Sequence, residues 1–185
     1  SIILNTTNCE DFISYLFEYK TDVCHIIDKN EVNKLASYLL TVLQCIENSF
    51  EACSPYIGAI VNLLLETLNN SDICIQEISI EIVTEICTAM HYLHDFDNIH
   101  LMDSFFSPLF YLLQSENEFV IYRSIKALIR LLHVASIEPS LVTPMIDLLY
   151  NLFNMSEYIK ILVLEAISSM VFSAEINVRK YAVDI

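Results

Sequence analysis

"VIYRSIKALIRLLHV", residues Val120–Val134, spaces its apolar side chains by three and four and leaves Arg123, Lys126 and Arg130 on the remaining strip. That spacing is the period of a helix. The chain holds 24 Asp and Glu against nine Lys and Arg in 185 residues, so this one segment concentrates a scarce charge. An earlier stretch, "IQEISIEIVTEICTA" (Ile75–Ala89), has the same apolar pattern, with Glu81 and Glu85 standing where Lys126 and Arg130 stand later. A third, "IKILVLEAISSMVFS" (Ile159–Ser173), has Glu165 at the Lys126 position.

The three long segments are thus one pattern repeated, and each follows a shorter apolar one: "IVNLLLETL", "LFYLLQS" and "MIDLLYNLF". Setting Val83, Leu128 and Ile167 equivalent gives steps of 45 and 39 residues, and Leu39 in "LASYLLTVLQCIENS" extends the series back by 44. Helices are expected over residues 9–28 (broken near Thr21), 31–51, 55–69, 72–94, 108–114, 118–134, 144–153 and 157–173. Ser54-Pro55, Ser107-Pro108 and Thr143-Pro144 each read as a capping hydroxyl before a proline at the first helical position.

Composition agrees with an all-α chain. Hydrophobic residues reach 55% and charged residues fall to 18%, against about 45–50% and about 25% in ordinary domains. Most faces of most elements must therefore be covered, which suits stacked layers. One Gly, four Pro and no Asn-Gly or Asp-Gly pair leave no turn chemistry for a sheet of hairpins. The longest uncharged run, Ala52 to Leu65, is shorter than a membrane span needs. Six cysteines without a CxxC pair, mostly inside apolar-periodic segments, fit buried thiols in a reducing, intracellular setting, cytoplasmic or nuclear.

On the wheel, Ile75, Ile78, Ile82 and Ile86 form one apolar face of the Ile75 segment and Ile73, Ile80 and Cys87 a second, with Glu77, Glu81 and Glu85 on the strip between. A helix apolar on two faces is packed on two sides. With its repeat of short and long helices, the chain resembles the armadillo/HEAT superfamily over about residues 33–173. A short helix followed by a longer one with Ala127 or Ala166 at its middle looks like the last two helices of an armadillo repeat, and "FDNIHLMDSF" would hold the short first one. The chain has no Trp, so the Trp and Asn ladder of importin-alpha-type repeats maps onto no position here, and no Gly stands at the bend between first and second helices. Armadillo and HEAT both remain open. The resemblance implies a right-handed superhelix of about four stacked repeats, spanning residues 9–51, 54–94, 95–134 and 137–173, as a single segment of a longer array.

The charges suggest two roles. Glu81, Lys126 and Glu165, with Glu85 and Arg130, are expected to form an ion-pair ladder between repeats, worth about 0–1 kcal/mol for each exposed pair. No Lys or Arg occurs from Leu35 to Tyr122, while twelve acidic residues do. Glu77, Glu81 and Glu85, at four-residue spacing, are the candidate binding row for a basic segment of a partner protein. Such a surface repels nucleic acid and acidic membranes.

Chemistry has little to stand on. His91, His94 and Asp97 in "HYLHDFDNIH" are metal-ligand types, but their spacing matches no zincin or zinc-finger pattern. No Gly-x-Ser-x-Gly, phosphate loop or catalytic cysteine signature is present. Tyr15, Phe17, Tyr19, Phe105, Phe106, Phe110, Tyr111 and Tyr122 lack the interleaved basic residues of a base-stacking platform and are expected to pack in the core and between repeats. The expectation is a non-enzymatic protein-binding scaffold without cofactor. A karyopherin-type nuclear transport receptor is the second reading, and a metal-dependent enzyme at His91, His94 and Asp97 the third.

Overall fold

The computed structural model describes residues 29–93 and 98–182, with side chains over residues 32–93 and 98–172. Every regular element among the described residues is helical. The main helices are α1 (Lys29–Cys53), α2 (Ile57–Thr67), α3 (Ile73–Leu93), α5 (Phe106–Leu112), α6 (Glu118–Val134), α7 (Pro139–Leu152) and α8 (Glu157–Ala182). A single turn, α4 (Ile99–Met102), precedes α5, and short 3-10 turns at Ser54–Tyr56 and Asp103–Phe105 lead into α2 and α5. The expected helix over residues 9–28 lies outside the described residues. The chain divides into two compact units, Ser1–Ala89 and Met90–Ile185.

In the first unit α1 buries Leu35, Leu39, Val42, Ile46 and Phe50, one stripe at three- and four-residue spacing, and bends at Ser49, whose φ/ψ of −158°/60° leaves the helical region. α2 buries Ile57, Ile60, Val61, Leu63 and Leu64 over most of its circumference. α3 buries Ile75, Ser79, Ile82 and Ile86 on one side and Ile80, Val83 and Cys87 on another. Ser79 takes the place expected for Ile78, because Thr67 of α2 satisfies it: the two hydroxyl oxygens lie 2.8 Å apart. Ile73, at the start of the helix, is exposed instead of completing the second face.

In the second unit α5 packs on α6, α7 packs on α8, and α6 packs on α8. α6 begins and ends where its periodicity predicts. Phe105, Phe106, Leu109 and Leu112 are buried beneath α4 and α5, whereas Tyr111 points to solvent.

Three starts differ from expectation. Ser54 and Pro55 lie in a 3-10 turn whose N-cap, Cys53, makes no side-chain cap bond. Ser107 and Pro108 fall inside the first turn of α5. α7 starts at Pro139, with Pro144 internal. Glu138-Pro139 supplies an earlier proline start, with Ser140 Oγ donating to Glu138 Oε1 at 2.6 Å. The N–H that Pro144 lacks would have bonded the Ser140 carbonyl, and Ser140 is exposed in the first turn. Water can reach that end, which limits the loss.

The true caps recur. Asp72 Oδ1 accepts from the backbone N–H of Cys74 (2.9 Å) and Ile75 (3.3 Å). Asn117 Oδ1 accepts from Phe119 (2.9 Å) and Val120 (3.3 Å). Ser156 Oγ accepts from Ile159 at 3.5 Å. These residues stand at the same 45- and 39-residue steps as Val83, Leu128 and Ile167. Even the approach repeats, since Asp72 N–H donates to Asn70 Oδ1 (2.8 Å) and Asn117 N–H to Ser115 Oγ (3.1 Å). Asn117→Ala and Asp72→Ala should each destabilise by about 1 kcal/mol in urea unfolding, and Ser156→Ala by less, its bond being at the limit of length.

The buried positions keep the same register. Ile75, Val120 and Ile159 are equivalent and buried, as are Ser79, Ser124 and Val163; Ile82, Ala127 and Ala166; and Ile86, Leu131 and Met170.

Candidate functional site

α3 carries the acidic row because its apolar residues fill both flanks. Glu77, Glu81 and Glu85 are each half-buried on the strip that remains. At 1.5 Å of rise per residue their backbones lie about 6 Å apart. Glu81 and Glu85 make further contacts of their own. Among the described side chains of the first unit, Lys34 is the one Lys or Arg, and it lies at the start of α1. Like charges at this spacing disfavour the helix by a few tenths of a kcal/mol for each pair. The buried flanks of α3 offset that readily.

The remaining ladder residues sit in the second unit. Lys126 and Arg130 lie one turn apart on α6, and Glu165 lies on α8, which packs against α6. Lys126 Nζ stands over the Tyr122 ring, 5.8 Å from its centroid. Glu165 and Arg130 instead come together around His133. The ring of His133 is 5.7 Å from that of His91 and tilted 41° to it, and His91 also meets Tyr92 edge-on at 5.8 Å. His133 is held below its usual value chiefly by partial desolvation, then by His91 and Arg130, with Glu165 opposing. The ring remains solvent-exposed, so the shift is screened and its effect on stability small.

The sign follows from linkage. The unfolded histidine takes up its proton first as pH falls through about 6.5, the ordinary value, while the folded one resists until a lower pH. Stability is therefore greater above that window and declines through it. His133→Gln should flatten the difference in urea stability between about pH 7.5 and 5.5.

This pairing was not read from the sequence, although a signal was present. The register mate of His133 is Thr88, one helical turn before His91. Of the metal candidates, His91 is committed to these ring contacts, and His94 and Asp97 lie outside the described residues. Among the described residues no group of three or more His, Cys, Asp or Glu is placed to hold a metal ion.

Concavities open on the second unit among the described residues. One, of about 500 Å³, is lined by Asp103, Phe106, Ser136 and Glu138 among others. Burial pushes the Asp103 carboxyl up, opposed by a backbone hydrogen bond from Ser136 and by His100. Another, of about 400 Å³, lies among Glu118, Phe119, Tyr122, Ser156, Tyr158 and Ile159.

Cys74 and Cys87 are free thiols. Burial pushes the Cys87 thiol up to about 12, so it stays protonated and is no nucleophile at neutral pH. In the native chain Cys74, which is exposed, should react with a thiol reagent in minutes, and Cys87 only after unfolding; peptide mapping of the labelled protein reads both.

No helix among the described residues is long and apolar enough to cross a membrane. No family model matches the sequence, and no curated protein matches it. Among solved structures, the crystal structure of an engineered protein from the Northeast Structural Genomics Consortium is similar, with a TM-score of 0.48 and 15% identity over 95% of this chain and 71% of that one.

Proposed function

We propose that the chain is a non-enzymatic scaffold, an armadillo/HEAT-like stack of helix pairs that holds a partner protein through a basic segment on the Glu77, Glu81, Glu85 row. The observation that supports the stack is the common register of the caps Asp72, Asn117 and Ser156 with the buried positions that follow them. Helix pairs repeated in register present long surfaces, and the usual work of such surfaces is to hold another chain. Free thiols at Cys74 and Cys87 suit a reducing, intracellular compartment.

The row itself suggests the shape of the ligand. Glutamates whose backbones rise by about 6 Å from one to the next match alternate residues of an extended chain, which advance about 6.7 Å. The favoured partner segment carries Lys or Arg at every second position. Its attraction is electrostatic and must weaken with salt.

The test is a pull-down with the full chain and with Glu77→Gln/Glu81→Gln/Glu85→Gln, followed by mass spectrometry and by titration of the recovered partner. The triple variant should bind about tenfold more weakly at low salt, a loss of about 1.4 kcal/mol, and the two proteins should converge as salt rises. Circular dichroism first establishes that the variant is folded. Equal affinity of the two proteins at low salt rules out the acidic row.

A further inference from the structure

The caps Asn117 and Ser156 stand one 39-residue step apart, and each is followed, at the second residue of its helix, by an aromatic: Phe119 on α6 and Tyr158 on α8. Neither ring is buried, Phe119 being 73% and Tyr158 77% exposed. α6 and α8 pack together, and both rings line the concavity of about 400 Å³, with Tyr122, Ile159, Ser156 and Glu118 completing its wall. The caps hold this wall in place. Asn117 Oδ1 accepts the Phe119 N–H at 2.9 Å, and Ser156 Oγ accepts the Ile159 N–H at 3.5 Å.

Three aromatic rings and one carboxylate dominate the lining. Among the described residues Glu118 makes no ion pair, and the rings of Phe119 and Tyr158 meet no other ring. An apolar group would use the rings and leave the carboxylate unanswered, and an anion would be repelled by it. A cation uses both, because the face of an aromatic ring is negative and attracts positive charge. Tyr122 already shows this, with Lys126 Nζ 5.8 Å from its centroid. An ammonium is compact and strongly hydrated, and a single carboxylate replaces little of its water. A guanidinium is flat and weakly hydrated, stacks on rings and forks onto a carboxylate. We infer that this pocket receives an arginine side chain of a partner protein, its guanidinium stacked against Phe119 and Tyr158 and hydrogen-bonded to Glu118.

The cations of the chain itself leave the site to such a partner. Lys160 bonds Glu157 at 2.8 Å, Arg123 makes contacts of its own, and Arg130 lies with Glu165 around His133. Lys126, on the Tyr122 ring, is the one competitor. A net charge of −15 draws a basic segment toward the chain before contact.

The acidic row lies on α3 in the first unit, so a site-resolved measurement lets the two proposals fail separately. The probe is the peptide acetyl-Gly-Arg-Gly-amide, with counterparts carrying Lys or norleucine in place of Arg, titrated into the isotope-labelled full chain and followed by the amide shifts of Phe119 and Tyr158. The Arg peptide should saturate those shifts at roughly millimolar concentration. The Lys peptide should bind at least about threefold more weakly, and the norleucine peptide should not saturate. Phe119→Ala and Tyr158→Ala should each weaken the Arg peptide about two- to fivefold, and Glu118→Gln about threefold. Lys126→Gln should strengthen it, since the competing ammonium leaves the Tyr122 ring. Tyr111→Ala, at an exposed position on α5, and Glu77→Gln/Glu81→Gln/Glu85→Gln should leave these shifts unchanged. Phe119, Tyr158 and Glu118 are all exposed, and circular dichroism verifies that their variants are folded. Three outcomes overturn the inference: no saturable shift at the two amides, a Lys or norleucine peptide that binds as well as the Arg peptide, or a dimer in sedimentation that Glu118→Gln dissolves, which would give the pocket to an arginine of a second copy.

Discussion

Phe105→Ala is expected to lower the unfolding free energy by about 3–5 kcal/mol, more than any other single truncation among the described aromatics. Phe105 is fully buried and is the largest of the fully buried side chains. It ends the 3-10 turn Asp103–Phe105 that joins α4 to α5, and its ring fills core volume there. A cavity left there cannot collapse easily, because α5 and α6 are held by their own buried residues on either side. Phe119 makes the contrast. It is 73% exposed in the first turn of α6, and Phe119→Ala should change stability by no more than about 0.5 kcal/mol. Urea unfolding of the two variants checks both numbers. Comparable losses at the two positions would mean that Phe105 is not the anchor its burial indicates.

Periodicity made most helices legible, because a 3.6-residue period needs only local sequence. α6 was bounded correctly at both ends, since its apolar pattern starts abruptly after Asn117 and stops at Ala135, whose extended backbone ends the helix. Starts marked by proline were misread for a physical reason. A hydroxyl before a proline is one sufficient way to begin a helix, but Asx caps such as Asp72 and Asn117 serve as well, and the two kinds of signal compete along the chain. Thr143-Pro144 lost to Glu138-Pro139 five residues earlier. The acidic row was legible for the same local reason as the helices: Glu77, Glu81 and Glu85 share a strip by spacing alone. The ring pair of His91 and His133 joins residues 42 apart in sequence, and only packing of the second unit brings them together. Exposure on α8 was equally hidden: Leu164 is 56% exposed and Val171 53%. Leu164 and Val171 have the apolar character of buried residues, and what distinguishes them from Ile125 and Leu132 is the absence of a covering neighbour among the described residues.

Ser79 and Ser124 occupy the same register position, and the same substitution should act on them with opposite sign. Both are buried completely. Ser79 Oγ has the Thr67 hydroxyl at 2.8 Å and the Ile75 carbonyl at 2.7 Å. Thr67 in turn donates to the Leu63 carbonyl at 3.1 Å, so the link between α2 and α3 is satisfied throughout. One step later the residue equivalent to Thr67 is Leu112, and Ser124 Oγ finds no hydrogen-bond partner among the described residues. A buried hydroxyl left unpaired is unfavourable by about 1–3 kcal/mol, whereas a paired one contributes about 1 kcal/mol net. The third member of the series, Val163, shows that the position accepts a β-branched apolar side chain at full burial. Ser124→Val should therefore stabilise the chain by about 1–2 kcal/mol, the relief of desolvation exceeding any mismatch of shape. Ser79→Val should destabilise it by about 1 kcal/mol, by removing the hydrogen bond that joins α2 to α3, while the Thr67 hydroxyl keeps the Leu63 carbonyl as its acceptor. The two variants need only the midpoint of urea unfolding at equal slope to be compared. Shifts of the same sign would show that volume, and not the hydroxyl partner, decides what this position tolerates.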